Sequence, residues 1–138
     1  MFCKAVDNLK MGLPWEKDVK ITPLPEPEKP HYLQEVIVDA VTKGAKVMNA
    51  RGNQFDRTFV SPTVLFPVNN KMKCFHEEQF GPLVPITTFK DLSEVYQYLR
   101  DSPFGQQASV FASDRAQISR LVDVLVNQVA RVNINTQC

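Results

Sequence analysis

The run of strand and helix signals between residues 83 and 135 narrows the folds open to this chain more than any other feature. LVPITTF (83–89) reads as a strand, although Pro85 would remove one ladder donor. Asp91 and Glu94 are spaced as an N-cap residue and its reciprocal partner, and Leu92, Val95, Tyr96 and Leu99 then form a helical stripe. Pro103 and Gly105 end that helix, and QASVFA (107–112) is the next strand. Ser113 or Asp114 caps a second helix whose inner face carries Ile118, Leu121, Val122, Leu125 and Val129, and RVNIN (131–135) closes as a strand. Strands separated by helices of roughly 10 to 15 residues are the pattern of right-handed crossovers. The expected fold class is therefore α/β, an open, mostly parallel sheet with crossover helices, and 83–135 is expected to be a βαβαβ unit.

The first half is less regular. Residues 1–10 look like the tail of a helix, and residues 11–30 hold Pro14, Pro23, Pro25, Pro27 and Pro30, which makes them an extended connector. Leu33, Val36, Ile37, Ala40 and Val41 then fall on one helical face, with Gly44 as the stop. A short strand over 45–48 and a polar loop with Arg51, Gly52 and Asn53 follow. Residues 58–66 are rich in β-branched and aromatic side chains but are broken by Pro62, so a bent or edge strand is expected there. In the last helix Val124 and Val126 lie off the main stripe. They point either to a second covered surface, supplied by further sequence or a partner subunit, or to a broad apolar face on a central helix.

Composition excludes several classes of function. Sixteen Lys and Arg against fifteen Asp and Glu leave a net charge of +1 with the signs interspersed, which offers no footprint for nucleic acid or an acidic membrane. No apolar run approaches the ~18 residues of a membrane span, and MFCKAVDNLK lacks a signal-peptide core. Cys3, Cys74 and Cys138 are odd in number and far apart, which argues against a disulfide framework or a CxxC metal site and fits a reducing cytoplasm. The five glycines form neither GxGxxG nor a P-loop, and HExxH, GxSxG and EF-hand patterns are absent.

Two stretches hold candidate chemistry. Cys74 and His76 lie two residues apart beside Glu77 and Glu78, where a thiol near a base could be a nucleophile or a metal ligand. His31, at a helix start, suits a solvated or capping role. The second stretch is EEQFGP (77–82). Its plain reading is a Gly-Pro turn ahead of a strand, with Phe80 tucked into the core. Its functional reading has Glu78 accepting hydrogen bonds from sugar hydroxyls and Phe80 packing on a flat ring, the two projecting on one side at i and i+2.

EEQFGPLVPITTF resembles the E-E-x-F-G-P-hydrophobic-x-P motif of the aldehyde dehydrogenase superfamily. SPTVLFPVNNKM before it is similar to that family's strand and short helix, SPFGQQASVFASD after it to the N-x-x-x-Y-G-L-x-x-x-V-F-T-x-D region, and VARVNIN to the G-x-V-x-I-N strand. ITPL (21–24) and the general run look closest to the NADP-dependent, non-phosphorylating glyceraldehyde-3-phosphate dehydrogenases. The resemblance makes residues 1–138 part of a catalytic domain downstream of its nucleophile. In that family a cysteine thiolate attacks the aldehyde, hydride passes to NAD or NADP, and an activated water hydrolyses the thioester.

The resemblance implies that Glu78 binds the nicotinamide ribose hydroxyls and that Phe80 packs near the nicotinamide. It gives Asn135 a structural role near the substrate tunnel. Gln79, His76 and the Phe104-Gly105-Gln106 run depart from the usual family residues. The nucleophile motif G-Q-x-C, the base motif E-L-G-G and the phosphate-binding turn are absent, and neither Cys3 nor Cys74 matches the nucleophile. No catalytic residue and no metal ligand are therefore expected within the chain, which by itself is expected to be inactive and to bind NAD or NADP weakly or not at all. The parent would oxidise an aldehyde, glyceraldehyde 3-phosphate among the candidates, with NADP favoured over NAD, as a cytoplasmic homo-oligomer without nucleic-acid or membrane partners. The rival expectation is a truncated, non-catalytic relative that acts through subunit association.

Overall fold

In the computed structural model, which describes residues 1–137, the chain forms two compact units divided after Thr88. Cys138 lies outside the described residues. The first unit opens with the short helix α1 (Phe2–Asp7). Its last side chain acts at long range: the Asp7 carboxylate accepts hydrogen bonds from Asn49 Nδ2 and from the backbone N–H groups of Ala50 and Arg51, at 2.9 to 3.0 Å. The connector that follows is tied by a bridge between Met11 and Ile21, and by Leu24 N–H donating to the Thr58 carbonyl.

Helix α2 (Lys29–Thr42) begins inside the expected connector. Pro30 occupies the first turn, where the N–H it lacks would have no helical partner in any case. Leu33, Val36, Ile37 and Ala40 are buried as the stripe predicts, but Val41 is 46% exposed. At ~3.6 residues per turn it has drifted to the edge of that face. Gly44 N–H donates to the Val41 carbonyl at the end of the helix.

Strands β1 (Lys46–Val47), β2 (Phe55–Asp56), β3 (Phe59–Val60) and β4 (Thr63–Phe66) follow, then helix α3 (Lys73–His76) and strand β5 (Leu83–Pro85). Pro62 falls between β3 and β4, the break that the sequence indicates. β2 and β3 pair as an antiparallel hairpin. The other three strands form a sheet of order β1-β4-β5, antiparallel between β1 and β4 and parallel between β4 and β5. Pro85 is accommodated because β5 lies at the end of this order and the donor to Leu65 is Ile86 N–H. The apolar face of α2 packs with Val60, Leu65, Val68, Met72, Cys74 and Leu83 to form the core of the unit.

The second unit contains α4 (Leu92–Asp101), β6 (Gln107–Val110), α5 (Arg115–Leu125) and β7 (Arg131–Ile134). The Asp91/Glu94 capping box is present, and Asp114 rather than Ser113 caps α5 by accepting from Ala116 and Gln117 N–H. β6 and β7 run parallel in register from Gln107↔Arg131 to Val110↔Ile134. Asn135 ends β7 in the left-handed region (φ 53°), and its side chain exchanges two 3.0 Å hydrogen bonds with the backbone of Ala112. That is the structural role expected of it. Leu125 and Val110 are buried, whereas Leu92, Val95, Tyr96 and Leu99 are only half-buried. Val124 is half-buried and Val126 is 60% exposed.

The expectation of a mostly parallel sheet needs correction. The strands form small mixed sheets, and β5 bonds back to β4 instead of heading a three-stranded unit with β6 and β7. Connectivity accounts for the antiparallel pair, because parallel neighbours need a crossover, usually helical. A helix separates β4 from β5 and β6 from β7, but none lies between β1 and β4. No helix among the described residues is long and apolar enough to cross a membrane.

Two expectations follow from this packing. A Cβ on Gly105 would overlap the Gln128 carbonyl oxygen, while the Gly105 carbonyl accepts from Ala130 N–H at 2.9 Å. Gly105→Ala should therefore cost about 1 to 3 kcal/mol and speed amide exchange in β6 and β7; unchanged exchange would contradict this packing. Asp7 is held below the ordinary carboxylate value of 3.8, chiefly by the hydrogen bond from Arg51 N–H and then by Asn49. A depressed folded-state pKa means that the unfolded chain takes up the proton first as the pH falls. The Asp7 contribution is thus present above the ordinary carboxylate value and lost as the pH drops through the lower folded one. Acid titration of stability should show a shallower decline in Asp7→Asn than in the unmodified chain, and identical slopes would rule this contribution out.

Candidate functional site

EEQFGP is pinned to the core on both sides of Gly81. Leu33, fully buried in α2, lies so near that a Cβ on Gly81 would sit 2.6 Å from its Cδ1, so any larger residue at 81 would have to displace the Leu33 side chain. Leu83 N–H closes back on the Gly81 carbonyl at 2.8 Å, and the Pro82 carbonyl accepts from Thr63 N–H at 2.9 Å. Gln79 adds a 3.2 Å bond from Nε2 to the Leu83 carbonyl. The turn is thereby part of the sheet edge.

On this platform the two carboxylates have different environments. Glu77 accepts a 2.8 Å hydrogen bond from the Tyr32 hydroxyl, one turn into α2. Burial, and then this bond, pushes the Tyr32 phenol up to about 12. Glu78 is exposed and has no hydrogen-bond or ion-pair partner among the described residues. Phe80 is 73% exposed with φ +43°. It is not tucked into the core, which overturns the plain reading of this residue. Its left-handed backbone also breaks the extended run, so strand alternation does not set the directions of Glu78 and Phe80. Lys29 Nζ lies 5.0 Å from the centroid of the Tyr32 ring and 5.9 Å from that of Phe80. Sequence reasoning missed Lys29 and Tyr32; the signal available was a cation and an aromatic ring three apart, off the apolar stripe of α2.

A free carboxylate can accept two hydrogen bonds from neighbouring hydroxyls, and an exposed aromatic ring can pack on a planar group. That acceptor and packing chemistry fits a ribose and its attached ring. The alternative site does not assemble. α3 is helical, so Cys74 and His76, two apart, do not face one another. Cys74 is buried, and burial first and the nearby Asp39 second push its thiol up, away from the reactive thiolate. His76 Nε2 lies 2.7 Å from the Asn70 carbonyl, and exposed His31 lies 3.8 Å from the Glu35 carboxylate. Among the described residues no group of three or more His, Cys, Asp or Glu could hold a metal ion. An open recess of about 480 Å³ bounded by Phe89, Asp91, Tyr96 and Arg120 contains none of the candidate site residues, Glu78, Phe80, Cys74 or His76.

Comparison with known proteins bears on the whole chain. The aldehyde dehydrogenase family model matches residues 1–138. Glutarate-semialdehyde dehydrogenase of Pseudomonas putida is 36% identical over 132 residues, covering 96% of this chain and 27% of that protein. The NADP(+) succinate-semialdehyde dehydrogenase of Escherichia coli is 32% identical over 131 residues, covering 94% and 27%. Among solved structures, the NADP-dependent glyceraldehyde-3-phosphate dehydrogenase from Bacillus halodurans, complexed with NADP, superimposes with a TM-score of 0.89 at 33% identity over 99% of this chain and 28% of that one. The chain thus spans 27% of the length of these curated relatives.

The burial of Cys74 has a measurable consequence. In the folded chain at neutral pH, Cys74→Ala should leave the fast phase of labelling by a thiol reagent unchanged, because Cys74 is buried whereas Cys3 is only half-buried. Loss of the fast phase in Cys74→Ala would restore the nucleophile reading.

Proposed function

This chain belongs to the aldehyde dehydrogenase family, and we propose that it supplies the nicotinamide-ribose contact of an NAD(P)-dependent enzyme that oxidises an aldehyde to its carboxylic acid. The observation that carries this reading is the division of labour between adjacent carboxylates. Glu77 is spent on Tyr32, which leaves Glu78 exposed and unpartnered beside an exposed ring. Bound NAD or NADP would supply the hydride acceptor. Glu78 would take hydrogen bonds from the ribose hydroxyls, fixing the sugar, and Phe80 would pack near the nicotinamide and limit its rotation. The rigid seat of Gly81 on Leu33 suits this task, because hydride transfer depends on placing the reacting atoms closely.

The covalent step is not assigned to residues 1–138. They contain no G-Q-x-C, and Cys74 is buried with a raised pKa. For the substrate we favour a small aldehyde carrying an anionic group at its far end. The names of the related enzymes support this class: glutarate and succinate semialdehydes end in a carboxylate, and glyceraldehyde 3-phosphate ends in a phosphate. NADP is the favoured cofactor because relatives of both kinds are named as NADP enzymes.

Hydrogen bonds to an ionised group are worth about 1.5 to 3 kcal/mol, roughly tenfold or more in affinity. In the full-length protein that carries residues 1–138, Glu78→Gln should therefore raise the KM for NAD(P) or slow hydride transfer by about tenfold. Glu77→Gln should act less on the cofactor and more on thermal stability. Wild-type cofactor kinetics in Glu78→Gln would refute the assignment.

A further inference from the structure

Between them, the residues in the first turn of α2 touch three parts of EEQFGP. Tyr32 holds Glu77 and Leu33 backs Gly81. Lys29 Nζ stands within cation–π range of both Tyr32 and Phe80 and makes no ion pair with a carboxylate among the described residues. A lysine ammonium commonly pairs with a carboxylate. Here Glu77 is already engaged by Tyr32, and the ammonium lies over the rings instead.

We infer that Lys29 is a positioning residue for the cofactor site, holding the exposed Phe80 ring in place by a cation–π contact shared with Tyr32. This inference rests on the reading of Glu78 and Phe80 as cofactor contacts. Phe80 gains little from burial at 73% exposure, and its left-handed backbone is an uncommon state for an aromatic residue. Such a ring needs another source of order if it is to present one face to a planar ligand. Lys29 supplies it from a helix whose buried face is locked in the core, with Tyr32 as the second wall that keeps the ammonium from swinging away. The role is indirect, because Lys29 acts through Phe80.

The test uses the full-length protein that carries residues 1–138, with the Kd for NADP as the main readout. Lys29→Met should weaken NADP binding by roughly two- to fivefold, as expected for an exposed cation–π contact, with the melting temperature and the KM for the aldehyde unchanged. Lys29→Arg should restore binding, since a guanidinium also stacks on aromatic faces. In a Phe80→Leu background, Lys29→Met should have no further effect, because the group through which it acts has been removed. An equal loss in both backgrounds would show that Lys29 meets the cofactor directly and would overturn the inference, as would wild-type binding by Lys29→Met. Glu78→Gln separates the two layers. If it weakens binding while Lys29→Met does not, only this inference fails. If Glu78→Gln also binds NADP and transfers hydride as wild type, the cofactor reading itself fails.

Discussion

The approach of Gly81 to Leu33 is the contact on which the candidate site depends. Leu33 is a core residue of α2, fully buried, and it also forms the floor on which the turn rests. A Cβ on Gly81 would press on the Leu33 methyl groups, so the backbone of the turn lies directly against a buried core side chain. The neighbouring backbone bonds, Thr63 to Pro82 and Leu83 to Gly81, extend that constraint into the β4-β5 ladder. The segment between α3 and β5 is thereby tied to the sheet and to the core at several points. Preorganisation of this kind is what a binding surface needs, since ordering a loose loop at the moment of binding subtracts from affinity.

With the backbone fixed, side-chain chemistry divides the six residues by role. Glu77 and Gln79 tie the segment to the protein, one through Tyr32 and the other through the Leu83 carbonyl. Gly81 and Pro82 make the turn. Glu78 and Phe80 are left to solvent, one a carboxylate without a partner and the other an apolar ring. The Tyr32 hydrogen bond gives Glu77 a structural partner, while Glu78 has none among the described residues.

Much of this was legible in the sequence where the determining physics is local. The buried stripe of α2 follows from spacing alone, with Val41 the exception at its margin. The cap at Asp91 follows from side-chain chemistry next to an apolar run, and the second cap was narrowed to Ser113 or Asp114, of which Asp114 is the one used. Strand partners were not legible, because pairing joins residues distant in sequence. Residues 83–85 could be seen as a strand, but nothing within them says that they bond to 63–65. The same limit hid the Asp7 bonds to residues 49–51 and the reach of Tyr32 to Glu77. For the candidate site, the motif identified Glu78 and Phe80, but the exposure of Phe80 depends on a positive φ that an extended reading of the segment excludes.

The central claim is that Glu78 faces the nicotinamide ribose, and it is tested most directly by a crystal structure of the full-length protein that carries residues 1–138 with NADP bound. The account predicts the Glu78 carboxylate within hydrogen-bond distance of the ribose hydroxyls and the Phe80 ring packed beside the nicotinamide. A Glu78 side chain pointing to solvent, with the ribose held by other residues, would contradict it.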